Sequence, residues 1–215
     1  MLGIETTQGS RVKGFISFEG IEGTGKTTQV RLLADYLKAK GYDVITTEEP
    51  GGTPIGRKIR ELLLHPQNSM DPLTELLLYY SSRAQHIREV IYPSLVLNRI
   101  VITDRFTDST IAYQGYGRGI DLKTIKRLNE IVTPNIKPFL TFLLDIEVEE
   151  GLRRNREMGK DDRFEIETIE FHKLVRKGYL KLAGEEPNRI RLIDASRGID
   201  EVHKEIVRIF EEAWG

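Results

Sequence analysis

The sequence contains no cysteine and no long apolar run, and each absence excludes a class of structure. Without cysteine, the 215-residue chain has no disulfides and no thiolate metal sites, which suits a reducing compartment. No stretch of 18 apolar residues occurs, and residues 1–14 lack the apolar segment of a secretory signal. Basic and acidic residues balance at 32 against 33, so no overall charge attracts nucleic acid or an anionic membrane. These absences predict a cytoplasmic protein that binds neither nucleic acid nor membrane.

A phosphate-binding loop is the clearest motif that is present. Residues 20–27 read GIEGTGKT and match the pattern G-x-x-x-x-G-K-[ST] at every position, between a short apolar run and a helical pattern. Glycines let backbone N–H groups converge on phosphate oxygens, and the helix N-terminus adds partial positive charge. We expect Lys26 to reach the β and γ phosphates and Thr27 to bind Mg²⁺. The predicted ATP-binding residues are Gly20, Ile21, Glu22, Gly23, Thr24, Gly25, Lys26, Thr27 and Thr28.

Five apolar, β-branched runs alternate with helical stretches and predict a sheet. They lie at residues 15–18, 43–46, 100–103, 139–144 and 190–193. Their hydrophobicity is continuous, which is typical of parallel strands covered on both faces. The predicted fold is α/β, a P-loop NTPase with a doubly wound, parallel, five-stranded sheet flanked by helices. We expect a flexible extension over residues 1–14 and a single domain over residues 15–215.

Polar residues follow each of the later predicted strands. Glu49, Asp104 with Arg105, Asp145 and Asp194 all lie at or just beyond a strand end. Ligands of open α/β sheets bind outside the carboxyl ends of the strands, so we expect these residues to line one crevice. Asp104 is the predicted second Mg²⁺ ligand, because a carboxylate there can hold the ion directly or through water.

An arginine-rich segment at about residues 150–165 favours a kinase over other P-loop proteins. A GTPase is expected to carry an Asn-Lys-x-Asp motif after a strand, and none is present. A kinase needs cations around two phosphorylated substrates, and this segment carries four arginines among few apolar residues. It reads either as a solvated charged helix or as a small helical lid that closes over the phosphates and excludes water.

Several separate motifs together resemble the thymidylate kinase family, from about residue 15 to the C-terminus. Besides the phosphate loop they are EPGGTP at residues 49–54, LLYYSSR at 77–83, DRF at 104–106 and AYQG at 112–115. The resemblance implies ATP-dependent phosphorylation of dTMP to dTDP in dTTP biosynthesis, with Mg²⁺ as cofactor. It also implies a homodimer, with the apolar helices between residues 73 and 97 as the interface.

The same resemblance assigns roles to individual residues. It implies that Tyr79 stacks on thymine, that Arg83 binds a base carbonyl, and that Tyr113 crowds the 2′ carbon of the sugar. Arg60 and Arg105 match the positions that hold the acceptor phosphate. The implied dTMP-binding residues are Glu49, Arg60, Tyr79, Arg83, Arg105, Thr110, Tyr113 and Gln114. The implied catalytic residues are Lys26, Arg105, Glu22 and, in order of preference among the lid arginines, Arg154, Arg156 and Arg163.

Two departures from the family pattern leave alternatives open. Glu48 and Met158 stand where many relatives carry arginine, and Lys160 and Arg163 are the candidate substitutes for the latter. One alternative is another pyrimidine nucleoside monophosphate kinase that prefers dUMP or UMP, because a methyl group contributes only about 1–3 kcal/mol in an apolar pocket. The other is a catalytically weak nucleotide-binding module. The intact Lys26, Arg83 and Arg105 argue against the second.

Overall fold

A parallel five-stranded sheet forms the centre of the molecule. The computed structural model describes residues 12–159, 163, 164 and 166–215. The strand order is β2-β3-β1-β4-β5, and all four pairings are parallel. The strands are β1 (Val12–Glu19), β2 (Val44–Glu48), β3 (Ile100–Asp104), β4 (Pro138–Asp145) and β5 (Ile190–Asp194). The predicted fold class and all five predicted strands are confirmed.

Helices connect the strands and cover both faces of the sheet. They are α1 (Lys26–Ala39), α2 (Pro54–Leu64), α3 (Pro72–His86), α4 (Tyr92–Val96), α5 (Thr107–Thr110), α6 (Leu122–Val132), α7 (Val148–Glu157), α8 (Ile169–Glu185) and α9 (Ile199–Trp214). Ile16 and Phe18 of β1 belong to the larger apolar cluster, whereas Phe15 belongs to a second cluster. Successive strand residues point to opposite faces, so both faces are buried as the continuous apolar runs predicted.

The helices that carry site residues begin at ordinary capping sequences. The Thr53 side chain accepts from Gly56 N before α2, and that of Asp71 accepts from Leu73 N before α3, each with proline in the first turn. Helix α5 runs into a π-helical segment, Ile111–Gly117, which carries Tyr113 and Gln114. Wide turns of this kind re-aim side chains and are frequent at functional sites.

Two expectations from the sequence, one on a boundary and one on burial, differ from the structure. Strand β1 begins at Val12 and not at residue 15, so the predicted flexible extension is wrong for residues 12–14. Its first eleven residues, like Lys160, lie outside the described residues. The helical spacing of apolar residues from Ile199 to Phe210 predicts one buried helix face. In α9, Val202, Ile206, Ile209 and Phe210 are buried, but Ile199 is 60% exposed, because it begins the helix beyond the edge of the core. Among the helices described, none has the length and apolar character needed to cross a membrane.

Candidate active site

The glycine loop after β1 has the backbone geometry of a phosphate cradle. Gly20, Gly23 and Gly25 all have positive φ angles, of 140°, 72° and 85°. Gly25 is the N-cap of α1, so the first turn of that helix opens directly onto the loop. These φ values favour glycine, and free N–H groups at a helix N-terminus attract anions. Because β1 is the middle strand, the loop lies at the centre of the carboxyl edge of the sheet.

Helix α7 packs against this loop without room for a side chain between them. A Cβ added to Gly23 would lie 1.9 Å from the Gly151 carbonyl oxygen, and a Cβ added to Gly151 would lie 2.7 Å from that of Glu22. Both distances are shorter than van der Waals contact allows. The position of α7 and the shape of the phosphate loop are therefore coupled.

We expect Gly151→Ala to displace the loop and lower kcat/KM for ATP by about ten- to a hundredfold, because small misplacements of phosphate-binding groups are costly. Gly184→Ala is the matched control, since Gly184 is also helical and a Cβ there would meet nothing within 4 Å. That control should raise the free energy of unfolding by about 0.4–1 kcal/mol and leave kcat/KM unchanged. Steady-state kinetics with urea unfolding measure both, and equal kinetics for the two variants would contradict the coupling.

Lys26 lies folded against the loop that it is expected to serve. Its ammonium donates to the carbonyl oxygens of Gly20 at 3.1 Å and Ile21 at 2.7 Å, and to Thr24 Oγ1 at 3.3 Å. Burial, assisted by the positive charge of Arg105, lowers the pKa of Lys26 to about 8. A phosphate would compete with the loop carbonyls for the same ammonium protons.

One cavity of about 490 Å³ extends from the phosphate loop into the space between α3 and the π-helical segment. Lys26 and Thr27 line its loop end, and all eight predicted dTMP-binding residues line the remainder. Asp145 and Asp194 do not line it, contrary to the expectation of a single crevice. Asp145 instead forms a bidentate pair with Arg176, at 2.8 and 2.9 Å, and Asp194 accepts from Ser196 N. Their strands, β4 and β5, lie on one side of the central strand β1, whereas β3 and β2 lie on the other.

Thr27 and Asp104 meet at the loop end of the cavity. The Thr27 hydroxyl donates to Asp104 Oδ2 at 2.6 Å, and both residues line the cavity. Hydroxyl and carboxylate oxygens are ligands that Mg²⁺ accepts, with the remaining positions filled by water and substrate phosphates. No cluster of three histidine, cysteine or carboxylate side chains suited to a metal occurs in the part of the chain that the structure describes. The donor set therefore fits an ion that arrives with phosphate ligands rather than one held by protein alone.

Arg105 is the centre of a polar network beside the loop. Its guanidinium donates to Gly20 O at 2.9 Å, to Glu22 Oε1 at 3.0 Å and to the hydroxyls of Tyr113 and Tyr179 at 3.2 and 3.1 Å. Its backbone φ of 72° is unusual for a residue other than glycine. Strained backbone at the end of a strand is a recurrent property of functional sites, and here it aims the guanidinium into the cavity wall.

Glu22 is held ionised by its neighbours. The Tyr113 hydroxyl donates to its Oε1 at 2.6 Å, and His172 Nδ1 lies 3.4 Å from its Oε2. Burial would raise the pKa of Glu22, but His172, Arg105 and Lys26 outweigh it and hold the pKa below its ordinary value. Glu22 Oε2 is buried on the side of His172, and Glu22 also lines the cavity.

Glu19, which the sequence analysis did not single out, supports Arg105 from behind. It is fully buried and accepts from Phe106 N at 2.8 Å, from the Ser109 hydroxyl at 2.6 Å and from the Tyr179 hydroxyl at 3.0 Å. Burial and the nearby charge of Asp108 raise the pKa of Glu19 to about 7. Glu19 could have been identified from the sequence, because it is a carboxylate at the end of an apolar strand. Tyr179 lies in α8, and nothing in its local sequence points to the site.

The far end of the cavity contains a buried ion pair. Arg83 is 1% exposed and donates to Glu49 Oε2 at 2.6 Å and to Phe106 O at 3.0 Å. His86 Nδ1 lies 2.9 Å from the other oxygen of Glu49. Arg83 Nη1 and Thr110 Oγ1 are buried without a hydrogen-bond partner among the described residues, and both residues line the cavity. Unpaired buried donors are rare, and here they suit a ligand with polar edges.

The aromatic and phosphate-facing residues occupy the walls between these two ends. Tyr79 is half-buried and packs against the larger apolar cluster, and the Tyr113 ring lies edge-on to Phe164 at 5.5 Å. Arg60 donates to Pro50 O at 2.8 Å and lies 3.4 Å from Glu48 Oε2. The unusual acid at position 48 therefore pairs with the arginine that is predicted to hold the acceptor phosphate.

None of the three predicted lid arginines lines the cavity in this conformation. Arg154 on α7 donates to Glu150 and to the carbonyl oxygen of Ala195, at 2.8 and 2.9 Å, and Arg156 is exposed. Arg163 is not exposed on a lid in this conformation. It is buried, and it donates to Leu63 O at 2.8 Å and to Glu75 at 2.5 Å. Freeing it for catalysis would break a buried ion pair, which costs about 3–5 kcal/mol.

The sequence analysis missed other residues of the cavity wall and their supports. Besides Glu48 and Pro50 at the end of β2, lining residues that it did not assign are Leu64, Phe106, Ser109, Asn155 and Phe164. Phe106 and Ser109 follow Arg105 closely and were accessible to the strand-end argument. The remaining three come from α2, α7 and the segment after α7, and nothing in their local sequence links them to the loop.

The comparisons agree with this geometry. The family model described as thymidylate kinase matches residues 18–206. A thymidylate kinase of Geotalea uraniireducens is 53% identical over 89% of this chain and 93% of its own length, and one of Caldanaerobacter subterraneus is 51% identical over 92% and 95%. The crystal structure of thymidylate kinase from Ehrlichia chaffeensis, at 40% identity, superposes with a TM-score of 0.76 over 92% of this chain and 97% of that one. The chain therefore belongs to the thymidylate kinase family.

Proposed function

We propose that this chain carries out the reaction of its family, transfer of the γ-phosphoryl group of ATP to dTMP, and that ATP and dTMP occupy the two ends of the cavity. The observation that carries the proposal is the continuity of this cavity. It joins a phosphate loop with Lys26 and Thr27 to a closed pocket with Tyr79, Arg83 and Gln114. A nucleotide-hydrolysing protein has no need of the second pocket.

At the loop end, the chain supplies positive charge and fixed N–H donors. Lys26 and the backbone of the glycine loop hold the β and γ phosphates, and Thr27 with Asp104 holds Mg²⁺. When bound, the ion neutralises charge on the phosphate oxygens. The 2.6 Å contact between the hydroxyl and the carboxylate supports this pairing, because it shows that both oxygens reach one point.

At the acceptor end, the chain orients dTMP for in-line attack. Arg105 and Arg60 hold the acceptor phosphate, one of whose oxygens bonds to the γ-phosphorus as the bond to the bridging oxygen of ADP breaks. No covalent intermediate is needed, because the acceptor is already anionic. Glu22, which lines the cavity beside Tyr113, takes a sugar hydroxyl or a metal-bound water, and Tyr113 limits space beside the sugar. Catalysis then consists of positioning and electrostatic stabilisation.

Arg154 and Arg156 are the candidate cations for the transferring group. Arg154 is half-buried beside the Ala195 carbonyl, in the loop after β5. Arg156 is exposed and forms no ion pair with another described residue. A shift of α7 would carry either one towards the phosphates, whereas Arg163 serves a different purpose.

One assay separates this proposal from its alternatives. ADP release is followed with dTMP, dUMP, UMP, dCMP and thymidine as acceptors. We expect turnover with dTMP above all others, and none without an acceptor. Preference for UMP or dUMP would replace only the thymine assignment, whereas hydrolysis without an acceptor, or no turnover at all, would overturn the kinase proposal.

The lowered pKa of Lys26 predicts a pH dependence at the ATP end. The free enzyme needs the ammonium form to bind phosphate, and that form is lost as the pH rises through about 8. We expect kcat/KM for ATP to be level below this pH and to fall about tenfold per unit well above it. Lys26→Arg keeps its positive charge at high pH. Its kcat/KM for ATP should be lower than that of wild type and should no longer fall above about pH 8. A wild-type profile that stays level to pH 10 would contradict the assignment.

Assembly and location stay predictions. A homodimer through the helices between residues 73 and 97 is supported by exposed apolar side chains there, with Leu73, Leu77, Val96 and Leu97 each between 47 and 65% exposed. Light scattering gives the mass in solution directly. A cytoplasmic location rests on composition alone.

A further inference from the structure

Glu75 of α3 is a buried carboxylate outside the cavity that has no role so far. It is 1% exposed and does not line the cavity. Its Oε1 accepts from Gln114 Nε2 at 2.8 Å, and its Oε2 accepts from Arg163 Nη2 at 2.5 Å. Arg118 donates to both oxygens, at 3.3 and 3.2 Å. Two separate parts of the chain therefore converge on this carboxylate: the π-helical segment with its C-cap residue Arg118, and the segment after α7.

The contact with Gln114 fixes the direction of an amide group. An ionised carboxylate only accepts hydrogen bonds, so the atom of Gln114 that faces Glu75 is its NH₂ group. The amide oxygen is then the end left for the cavity, which Gln114 lines. Without such an anchor the two ends of a glutamine amide exchange by rotation, and the same side chain presents either a donor or an acceptor.

The polar pattern that results matches one kind of pyrimidine. Arg83 Nη1 is an unpaired donor at the cavity, and the anchored Gln114 oxygen is an acceptor. Thymine and uracil present a carbonyl acceptor at position 4 and an N–H donor at position 3. Cytosine reverses both, with an amino donor and a ring-nitrogen acceptor. A cytosine in this orientation would meet donor against donor and acceptor against acceptor.

The other oxygen of Glu75 pairs with Arg163, and so connects the Gln114 amide with the segment after α7. Arg163 donates its backbone N–H to Leu64 O at 2.9 Å and its Nε to Leu63 O at 2.8 Å, so it fastens the segment to α2. The next residue, Phe164, lines the cavity. One carboxylate thus anchors both the Gln114 amide and Arg163, whose neighbour Phe164 forms part of the cavity wall.

We propose that Glu75 is a positioning residue for acceptor-base recognition, which holds the Gln114 amide oxygen towards the base and thereby selects a pyrimidine with an N–H at position 3 over cytosine. This inference rests on the proposed function, because it concerns the acceptor of the same reaction. Glu75 acts through Gln114 and contacts no substrate itself.

The test is the ratio of kcat/KM for dTMP to that for dCMP. In Glu75→Gln, residue 75 carries an amide that can either accept or donate a hydrogen bond. It therefore no longer fixes which end of the Gln114 amide faces the cavity. We expect the ratio to fall by about tenfold or more, through a higher KM for dTMP and a lower KM for dCMP, with kcat for dTMP changed less. Glu75→Asp keeps the charge for both arginines but is one methylene shorter, so it should lower the ratio while it preserves folding.

Two further variants separate positioning from a general structural effect. Glu167→Gln is the matched control, because Glu167 pairs with Arg118 at 2.6 Å and has no contact with Gln114, and its ratio should equal that of wild type. In a Gln114→Leu background, which lacks the amide, Glu75→Gln should change the ratio no further. Equal losses for dTMP and dCMP, with the ratio intact, would overturn the inference. A wild-type protein that does not phosphorylate dTMP would instead overturn the proposed function.

Discussion

Replacing Arg105 by methionine should abolish nearly all phosphoryl transfer, with kcat reduced by about a thousandfold or more. The guanidinium lies at the junction of the phosphate loop and the acceptor pocket, where it contacts Gly20 O and Glu22. Preorganised cations at a transferring phosphate act in a site that excludes water, and each one typically contributes several kcal/mol to transition-state stabilisation. The measurement is single-turnover transfer from labelled ATP to dTMP.

The same substitution should also destabilise the fold, because the buried Glu22 carboxylate loses the cation with which it pairs at 3.0 Å. Removal of one partner of a buried ion pair costs about 3–5 kcal/mol. Arg99→Met is the matched control, since Arg99 and Asp43 form a surface pair with side chains 40 and 63% exposed. It should cost less than about 1 kcal/mol and leave kcat unchanged. If Arg105→Met retains more than a tenth of the wild-type kcat while folded, Arg105 is not the acceptor-phosphate residue.

The fold and the loop end of the site follow from local patterns in the sequence. These patterns are apolar runs of strand length, the eight-residue loop motif and polar residues at strand ends. Each can be recognised from residues that are neighbours in the chain. Asp104 and Arg105 could be predicted for this reason, because the end of a parallel strand fixes where they point. The same rule was wrong for Asp145 at the end of β4 and for Asp194 at the end of the edge strand β5. It does not say which strand ends a neighbouring side chain such as Arg176 will occupy.

The supports of the site could not be predicted, because they depend on contacts between distant parts of the chain. Glu75 and Arg163 are separated by 88 residues, and Glu19 and Tyr179 by 160. Glu19 has a local signal, because it ends an apolar strand, but nothing in the sequence around Glu75, Arg163 or Tyr179 marks these residues as parts of a site. Only the packing of α3 against the segment after α7 shows that Arg163 is buried and paired with Glu75 in this conformation.

Arg83→Met should raise KM for dTMP by about a hundredfold with a smaller change in kcat, and should lower the free energy of unfolding by about 3–5 kcal/mol at pH 7. The first effect follows from the loss of the unpaired Nη1 donor at the cavity, and the second from the loss of the cation that Glu49 needs. The double variant Arg83→Met with Glu49→Gln should recover part of the stability and none of the dTMP affinity. Loss of kcat with KM unchanged would contradict the base-reading role.

The pH dependence of this stability loss distinguishes a broken ion pair from a simple cavity. Burial favours a raised pKa for Glu49, but the charges of Arg83 and His86 outweigh it and hold the pKa below its ordinary 4.5. In wild type, the resulting stabilisation is present above the unfolded-state pKa and is lost as the pH falls through the lowered folded-state value. In Arg83→Met, burial is opposed by His86 alone, so the pKa of Glu49 rises and its ionised form loses stabilisation at neutral pH. Urea unfolding should therefore show a difference between the two proteins that is largest near pH 7. It should shrink as the pH falls from the raised Glu49 pKa of the variant towards the lowered wild-type value, whereas a lost packing contact alone would give the same difference throughout.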